Sequence, residues 1–564
     1  MSSGLRVLIL GGYGVFGGRI VQLLEDEPRL TLVVAGRSFT RAAAYCASRT
    51  SARCVLAPAV VDREGDIVPQ LAALQPALLI DASGPFQAYG DARYRVIEAC
   101  ISQGVDYLDL ADGSDFVAGV ADFDAAARAA GRYVLSGVSS FPVLTAAVVR
   151  RLSVDMERVD SVQGGIAPSP FAGVGDNVIR AIAGYSGQTV PLRRDGQTVK
   201  AHPLTEQMRV TISPPGRLPL RNVLFSLVDV PDLRTLPDLW PEARSIWMGA
   251  GPVPEVLHRA LIGFAWLVRL GVIPTLSPLA PLMHFAMNRL RWGEHRGGMF
   301  VTVEGADAAG KTLKRSWHLL AEGDDGPLIP AMAVEALVRR SLAGQTPPSG
   351  ARAASCDLEL RDYEELFAAR TIYAGVRDDA LTQTAPLYAR LLGNAWAQLP
   401  ERIRAMHDFA ASASVSGRAS VERGENPLAR LAAFIVGFPS ASEDTPVSVG
   451  FSDAGGVETW TRTFGDQTFS SLQFAGRDRS ERLLCEKFGP LTFAMALVVA
   501  DDRLSLVLRR WSIFGVPLPM TLCPRSNSYE TVDDGRFRFH VEISHPLTGL
   551  IVRYRGWLQP DGAA

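Results

Sequence analysis

Residues 5–20 read LRVLILGGYGVFGGRI. The apolar run Val7 to Leu10 has the β-branched texture of a buried strand, and it ends in a turn where Gly12, Gly14 and Gly17 keep the spacing G-x-G-x-x-G. An apolar helix is expected from about Val15. In such a crossover the first glycine permits the tight turn, the second lets backbone approach a pyrophosphate, and the third lets the helix lie on its strand. The helix N–H groups and dipole then hold the phosphates. Tyr13, Val15 and Phe16 fall inside the same loop and join the expected cofactor-binding set.

The second strand, Leu30 to Ala35, bears on the choice of dinucleotide. An acidic residue at its end accepts the ribose 2′-hydroxyl of NAD, whereas an arginine there meets a 2′-phosphate. The chain continues Gly36-Arg37-Ser38, with Arg41 one turn on and no acid. Arg37 and Ser38 therefore point to NADP(H) ahead of NAD(H) through charge-assisted hydrogen bonds. The alternative is that Arg37 is a solvated loop cation. Asp62, after the third strand, is an adenine-side candidate by position and equally a turn acid. Ser83, Gly84 and Pro85 follow the fourth strand at the carboxyl edge of the sheet, where open α/β sheets bind ligands. They are candidates for the nicotinamide side, or a simple strand-end turn.

The expected strands Val7–Leu10, Leu30–Ala35, Ala59–Val61, Leu78–Asp81, Tyr107–Leu110 and Tyr133–Leu135 alternate with helices such as Arg93–Gln103 and Val117–Ala130. Gly104 and Gly131 stand where helix-ending glycines belong. This alternation predicts an α/β fold, a Rossmann doubly wound parallel sheet over residues 1–152. Residues 153–378 read as an α+β middle domain of the substrate-binding or dimerisation type. A linker is expected between Gly375 and Pro386, then amphipathic helix from Leu387 to Asp408 interrupted at Pro400. Residues 385–560 form a β-rich domain, expected as a curled sheet or partial barrel, with turns at Ala454-Gly455-Gly456, Gly465-Asp466, Asp501-Asp502 and Asp533-Asp534-Gly535.

Proton donors for hydride transfer to C=O or C=N are sought at the fifth strand. Tyr107 and Asp109 share one face by period two, and Asp112 lies in the loop beyond. These three are the catalytic candidates. Two other patterns fail on context. Gly305 to Thr312 matches the P-loop spacing, but strand-like alternation follows it, so a hairpin is expected there. Gly137-Val138-Ser139-Ser140-Phe141 lacks the last glycine of a nucleophile elbow.

The chain has 564 residues, 47% hydrophobic and 21% charged, with net charge −2. That balance gives no electrostatic reason to expect nucleic acid. The six cysteines form no C-x-x-C pair and the eight histidines no ligand spacing, so neither disulfide framework nor metal is expected. No basic and apolar leader precedes the first strand, so a cytoplasmic location is expected. Leu257 to Met287 is strongly apolar but interrupted by His258, Arg259, Arg269, Pro274, Pro278 and Pro281. It is too broken to span a bilayer. Two helices about Pro274 are expected, either as core or interface, or as a peripheral membrane contact flanked by Arg289, Arg291 and Arg296.

The blocks GGYGVFGGRI, AGRS, SGPFQAYG, ACISQGVDYLDLADGSDF and SGVSSFPV, continued by AEGDDGPLIPAM and LELRDYEELF, resemble the saccharopine dehydrogenase-like oxidoreductases over residues 1–375. The resemblance implies Gly12, Gly14, Gly17, Arg37 and Ser38 at the cofactor, with Ser83, Gly84 and Pro85 beside the nicotinamide. The chain reads Asp112-Gly113 where many members read Gly-Glu. Residues 385–560 resemble a bacterial domain of unknown function, through Glu458–Arg462, Phe514–Pro519 and Pro546–Gly556. The pattern there reads as a β-rich cup for an apolar ligand, or as a docking module.

The expectation is an NADP(H)-dependent oxidoreductase that reduces a hydrophobic or lipid-like carbonyl, imine or enoyl substrate. A polycarboxylate such as saccharopine would need clustered cations that the sequence does not place. The alternative is a non-catalytic NADP-sensing or ligand-binding protein. The expected partners are a small apolar substrate, a membrane surface and a second copy of the chain.

Overall fold

The computed structural model describes residues 4–378, 385–409 and 412–561. The chain divides into two compact units, Met1–Arg209 with Val223–Ile372, and Val210–Asn222 with Tyr373–Ala564.

The first unit opens with β1 (Leu5–Leu10), α1 (Val15–Leu24), β2 (Leu30–Gly36), β3 (Val55–Val60), β4 (Leu78–Asp81), β5 (Asp106–Asp109) and β6 (Tyr133–Ser136). These strands form a parallel sheet in the order 3-2-1-4-5-6. Val7, Leu8, Ile9 and Leu32 are buried to within 1% of complete, as expected of parallel strands covered on both faces. The order reverses between β1 and β4, which opens a crevice at their carboxyl ends. Gly350–Ala353 adds a seventh parallel strand beside β6, with Gly350 opposite Tyr133. The sheet is thus completed by chain that lies far beyond residue 152.

Local differences from the sequence reading are small and have causes. β3 begins at Val55, and its exposed Val55 and Val60 reflect its place at the sheet edge. The helix expected over 117–130 is broken into Ser114–Gly119, a 3-10 turn Val120–Phe123, and Asp124–Ala129. Gly104 and Gly131 both lie in the left-handed region, at φ +64°.

The middle segment of this unit builds a mixed sheet. Arg158–Ala167 lies parallel to Ser245–Ala250 and antiparallel to Arg296–Ala306, which pairs in turn with Thr312–Glu322. Within residues 305–312, the turn of that last hairpin is 307–311. Ala306 faces Thr312, and Asp307 accepts from the N–H groups of Ala309 and Lys311 at 3.0 and 2.9 Å. The backbone that would cradle phosphate is consumed by the turn itself.

In the second unit, Gly375 belongs to the strand Ile372–Asp378, and the remainder of the expected linker falls partly on 379–384, outside the described residues. Helices Leu387–Leu392 and Glu401–His407 flank a 3-10 turn. Ten long strands from Ser412–Arg423 to Gly549–Pro560 then run up and down, each paired with the next long strand, and the two-residue strand Val516–Pro517 pairs back on Arg503–Ile513. The last strand returns to pair antiparallel with the first, Leu558 opposite Gly417. The result is a closed antiparallel barrel rather than an open sheet. Its tight turns fall where Gly455, Gly465, Asp501 and Asp534 take positive φ.

Candidate active site

The glycine loop is shaped by contact between backbones. Gly11 has φ +76°, and a Cβ there would lie 2.8 Å from the Ala82 carbonyl oxygen at the end of β4. The Gly12 N–H donates to the Ala35 carbonyl at 3.0 Å and that of Gly14 to Gly11 at 2.8 Å. A Cβ on Gly17 would strike the Gly11 carbonyl, so α1 can approach β1 only with glycine at that position. Gly14 and Val15 are exposed, and no side chain caps α1. The amino end of this ten-residue helix therefore presents uncapped N–H groups to open space.

The end of β2 gathers the residues expected around the ribose. The Tyr13 hydroxyl accepts from the Ser38 N–H at 3.1 Å, and the Arg41 guanidinium stands 4.8 Å from the centre of the Tyr13 ring. Ser38 caps the next helix by accepting from the Arg41 N–H at 3.3 Å. Arg37 is exposed beside them. Phe16 packs on the Arg19 guanidinium, 5.4 Å from its ring centre. Asp62 is also exposed, but its carboxylate accepts from the Glu64 N–H at 3.1 Å and so stiffens its own turn.

Ser83 is tied down. Its N–H and hydroxyl both donate to Asp81, at 2.9 and 2.5 Å, and its oxygen lies 2.8 Å from the Tyr89 hydroxyl. The Arg63 guanidinium covers the Tyr89 ring at 3.2 Å. Asn177 of the middle segment donates to the carbonyls of Gly84 and Ser83 at 2.7 and 3.2 Å, and the loop before Pro85 is fixed from both sides. From that segment the Ala172 carbonyl also accepts from Arg19 of α1 at 3.0 Å.

The three proton-donor candidates separate by burial. Tyr107 is 1% exposed in the sheet core, and burial pushes its phenol far up. Asp109 is fully buried and accepts from the Ala111 N–H, the Gly137 N–H and the Ser136 hydroxyl at 2.8 to 3.0 Å. It joins the ends of β5 and β6, and burial pushes its carboxyl up to about 7. Asp112 alone is only half-buried; it accepts from the Gln87 amide at 3.0 Å and burial raises it too. Two groups with no sequence signal share its electrostatic environment. Asp229 accepts from the Ser114 hydroxyl at 2.7 Å and is raised by burial, while the Tyr185 phenol is raised by burial and then by the Asp229 and Asp112 carboxylates. Both come from the middle segment, more than 70 residues beyond Asp112.

Residues 7–135 match the saccharopine dehydrogenase NADP binding domain, and residues 399–558 match a domain of unknown function, DUF4166. The chain joins these two domains. Its first domain makes it an NAD(P)-dependent oxidoreductase with a nicotinamide dinucleotide cofactor. No curated protein matches the chain. Among solved structures, it is similar to the apo saccharopine dehydrogenase (L-Glu forming) of Saccharomyces cerevisiae at 14% identity and TM-score 0.48, over 66% of this chain and 100% of that one. It is also similar to a mutant meso-dapdh of Clostridium tetani, at 14% identity and TM-score 0.32 over 64% and 99% of the two chains. The biliverdin reductase of Synechocystis shares 12% identity and TM-score 0.30, over 64% and 94%.

The apolar segment of this oxidoreductase forms helices Glu255–Arg269 and Ala280–Arg289. Val268, Leu276 and Ala280 turn inward onto Ile179 and Ala183. Leu270, Val272, Leu282 and Phe285 are 64–68% exposed, and Phe264, Trp266 and Trp292 are also exposed. Among the described residues no helix is long and apolar enough to cross a membrane.

Burial of Asp109 has a measurable signature. Its folded carboxyl titrates near 7 and an unfolded one near 3.8, so between those values the unfolded chain has released a proton that the folded chain retains. Stability falls as pH rises through this window. Asp109→Asn keeps an acceptor oxygen and removes the titration. Its stability relative to the wild type should therefore rise by up to roughly 4 kcal/mol between about pH 4 and pH 8, read from denaturant midpoints. A pH-independent difference would contradict the assignment.

Proposed function

We propose that the chain is an NADP(H)-dependent reductase acting on a polarised C=O, C=N or C=C bond of a hydrophobic substrate. The observation that carries the cofactor preference is the end of β2, where Ser38 and Arg41 contact Tyr13, the exposed Arg37 adjoins them in sequence, and no acid occupies positions 36–41. The uncapped start of α1 supports a pyrophosphate site, and Gly14 leaves room for it. When bound, the cofactor supplies the hydride.

The remaining chemistry falls to the protein. Ser83 to Pro85, fixed through Asp81 and Asn177, form a rigid floor for the nicotinamide side of the crevice. Asp112, Tyr185 and Asp229 are acids whose burial favours the protonated form. A proton retained near neutral pH suits a general acid that must protonate an oxygen, nitrogen or carbon as hydride arrives. Asp112 is assigned this role, with Gln87 orienting its carboxyl. Tyr107 and Asp109 serve the sheet core instead.

The outward row of Leu270, Val272, Leu282 and Phe285, with Arg269, Arg289 and Arg291 close in sequence, favours a peripheral contact with an anionic lipid surface. Such a surface is a natural source of an apolar substrate.

Two outcomes test these readings. Arg37→Ala should weaken NADPH binding by about tenfold or more, the value of a charge-assisted hydrogen bond, and leave NADH binding unchanged. Calorimetry showing equal losses for both dinucleotides would refute the 2′-phosphate assignment, and dinucleotide binding without turnover on any carbonyl, imine or enoyl lipid would favour a sensor. Wild-type protein should co-sediment with vesicles containing anionic phospholipid, and Phe285→Glu with Leu282→Glu should abolish it. If those substitutions instead convert a dimer to a monomer, the face is a subunit interface.

A further inference from the structure

The carboxy-terminal barrel encloses a cavity of about 470 Å³. Protein interiors are close-packed and seldom keep voids larger than a water molecule, whereas small-molecule sites run from about 300 to about 1,000 Å³. The space is of ligand size. Its wall follows from period-two alternation: Val447, Val449 and Phe451 face inward from one strand, and Phe537, Phe539 and Val541 from another.

The arginine on this wall is paired with a carboxylate. Arg462 donates to Glu486 at 2.9 Å and to Ser471 at 2.8 Å. Ser471 and Gln473 also donate to Glu486, at 2.7 and 3.1 Å. The His407 ring lies 2.7 Å from Glu530 and is stacked on Tyr388 at 3.7 Å. His540 stacks on Tyr529 at 4.8 Å, with Glu542 at 3.9 Å. The single lining arginine thus already faces a carboxylate, and a second carboxylate stands at Glu530. An anionic head group would meet no spare arginine or lysine on this wall, while an uncharged chain would lie against its valine, leucine, isoleucine and phenylalanine side chains.

One wall is a helix, Pro427–Val436, in the connection that joins the first two strands of the barrel. Ala432, Ile435 and Val436 line the cavity, and Ala429 and Ala433 pack on Ile551. Its other side exposes Leu428, Leu431 and Phe434, the last at 81%. The helix carries one charge, the exposed Arg430, and apolar side chains on both its inner and outer sides, a pattern ordinarily buried. Here the apolar surface continues from the cavity to the exterior across one element.

We propose that the barrel binds an uncharged, chain-like lipid, which enters past helix Pro427–Val436. This site stands independently of the amino-terminal cofactor reading. The test uses the full chain with Nile red as reporter, displaced by 1-hexadecanol or by hexadecanoate, which share a chain and differ in charge. Hexadecanol should displace at a concentration roughly tenfold lower than hexadecanoate, and Glu486→Gln should reverse that order by leaving the Arg462 charge unpaired. Leu506→Trp, which fills the cavity, should weaken Nile red binding by about tenfold, a readout that remains if Glu486→Gln fails to fold. A wild-type preference for hexadecanoate, or equal displacement by both, overturns the neutral ligand. Nile red binding unaffected by Leu506→Trp overturns the site. Phe434→Glu should leave the equilibrium for hexadecanol unchanged and slow its uptake from phosphatidylcholine vesicles roughly tenfold; an unchanged rate overturns the entry route.

Discussion

Backbone touching backbone governs the amino-terminal half of the molecule. The Gly11 carbonyl occupies the place where a side chain on Gly17 would begin, and Gly11 itself lies against the carbonyl of Ala82. Without those close approaches α1 would stand off from the sheet, and its first turn would no longer open over the crevice between β1 and β4. The carboxyl groups of Asp81 and Asp109 extend the same logic along the sheet edge. Each is buried at a strand end and gathers the N–H groups of the loop that follows or lies alongside. The edge is therefore rigid before any ligand arrives, and electrostatic binding from fixed dipoles is effective because no reorganisation is required.

Most of this half was legible because its signals are local. The glycine spacing, the apolar strands and the helix-ending glycines each depend on a few neighbouring residues, and strand β4 was read with its true ends. The barrel turns were legible for the same reason, since Asp501, Asp534 and the paired glycines at 455–456 suit positive φ. What escaped the reading is long-range. Asp229 and Tyr185 share the electrostatic environment of Asp112 only after the mixed sheet has folded, and no spacing announces that. Gly350–Ala353 joins a sheet whose other strands end by residue 136. Asp109 carries the residue type of an acid catalyst but the partners of a structural brace, and only its three donors distinguish the two.

The apolar residues of the two units are used differently. In the parallel sheet they fill space to near-complete burial. In the barrel, alternate residues point inward around a volume that they do not fill, and Arg462, Ser471, Gln473 and Glu486 among them are hydrogen-bonded to one another. The segment around Pro274 is a third case, with one flank seated on helix Asp176–Tyr185 and the other turned to solvent. Apolar side chains occur in all three places, and geometry decides whether they make core, container or contact surface.

The barrel meander has a kinetic corollary. Nine of its ten strand pairings join neighbours along the chain, and only Ser412–Arg423 with Gly549–Pro560 spans the whole domain. Hairpins of low sequence separation form quickly, whereas a pairing across some 140 residues waits on a large loss of chain entropy. During synthesis the first strand must remain with one bare edge until Gly549–Pro560 has left the ribosome. That edge carries Arg418 and Glu422, charges of the kind that keep an unpaired strand from recruiting a neighbour.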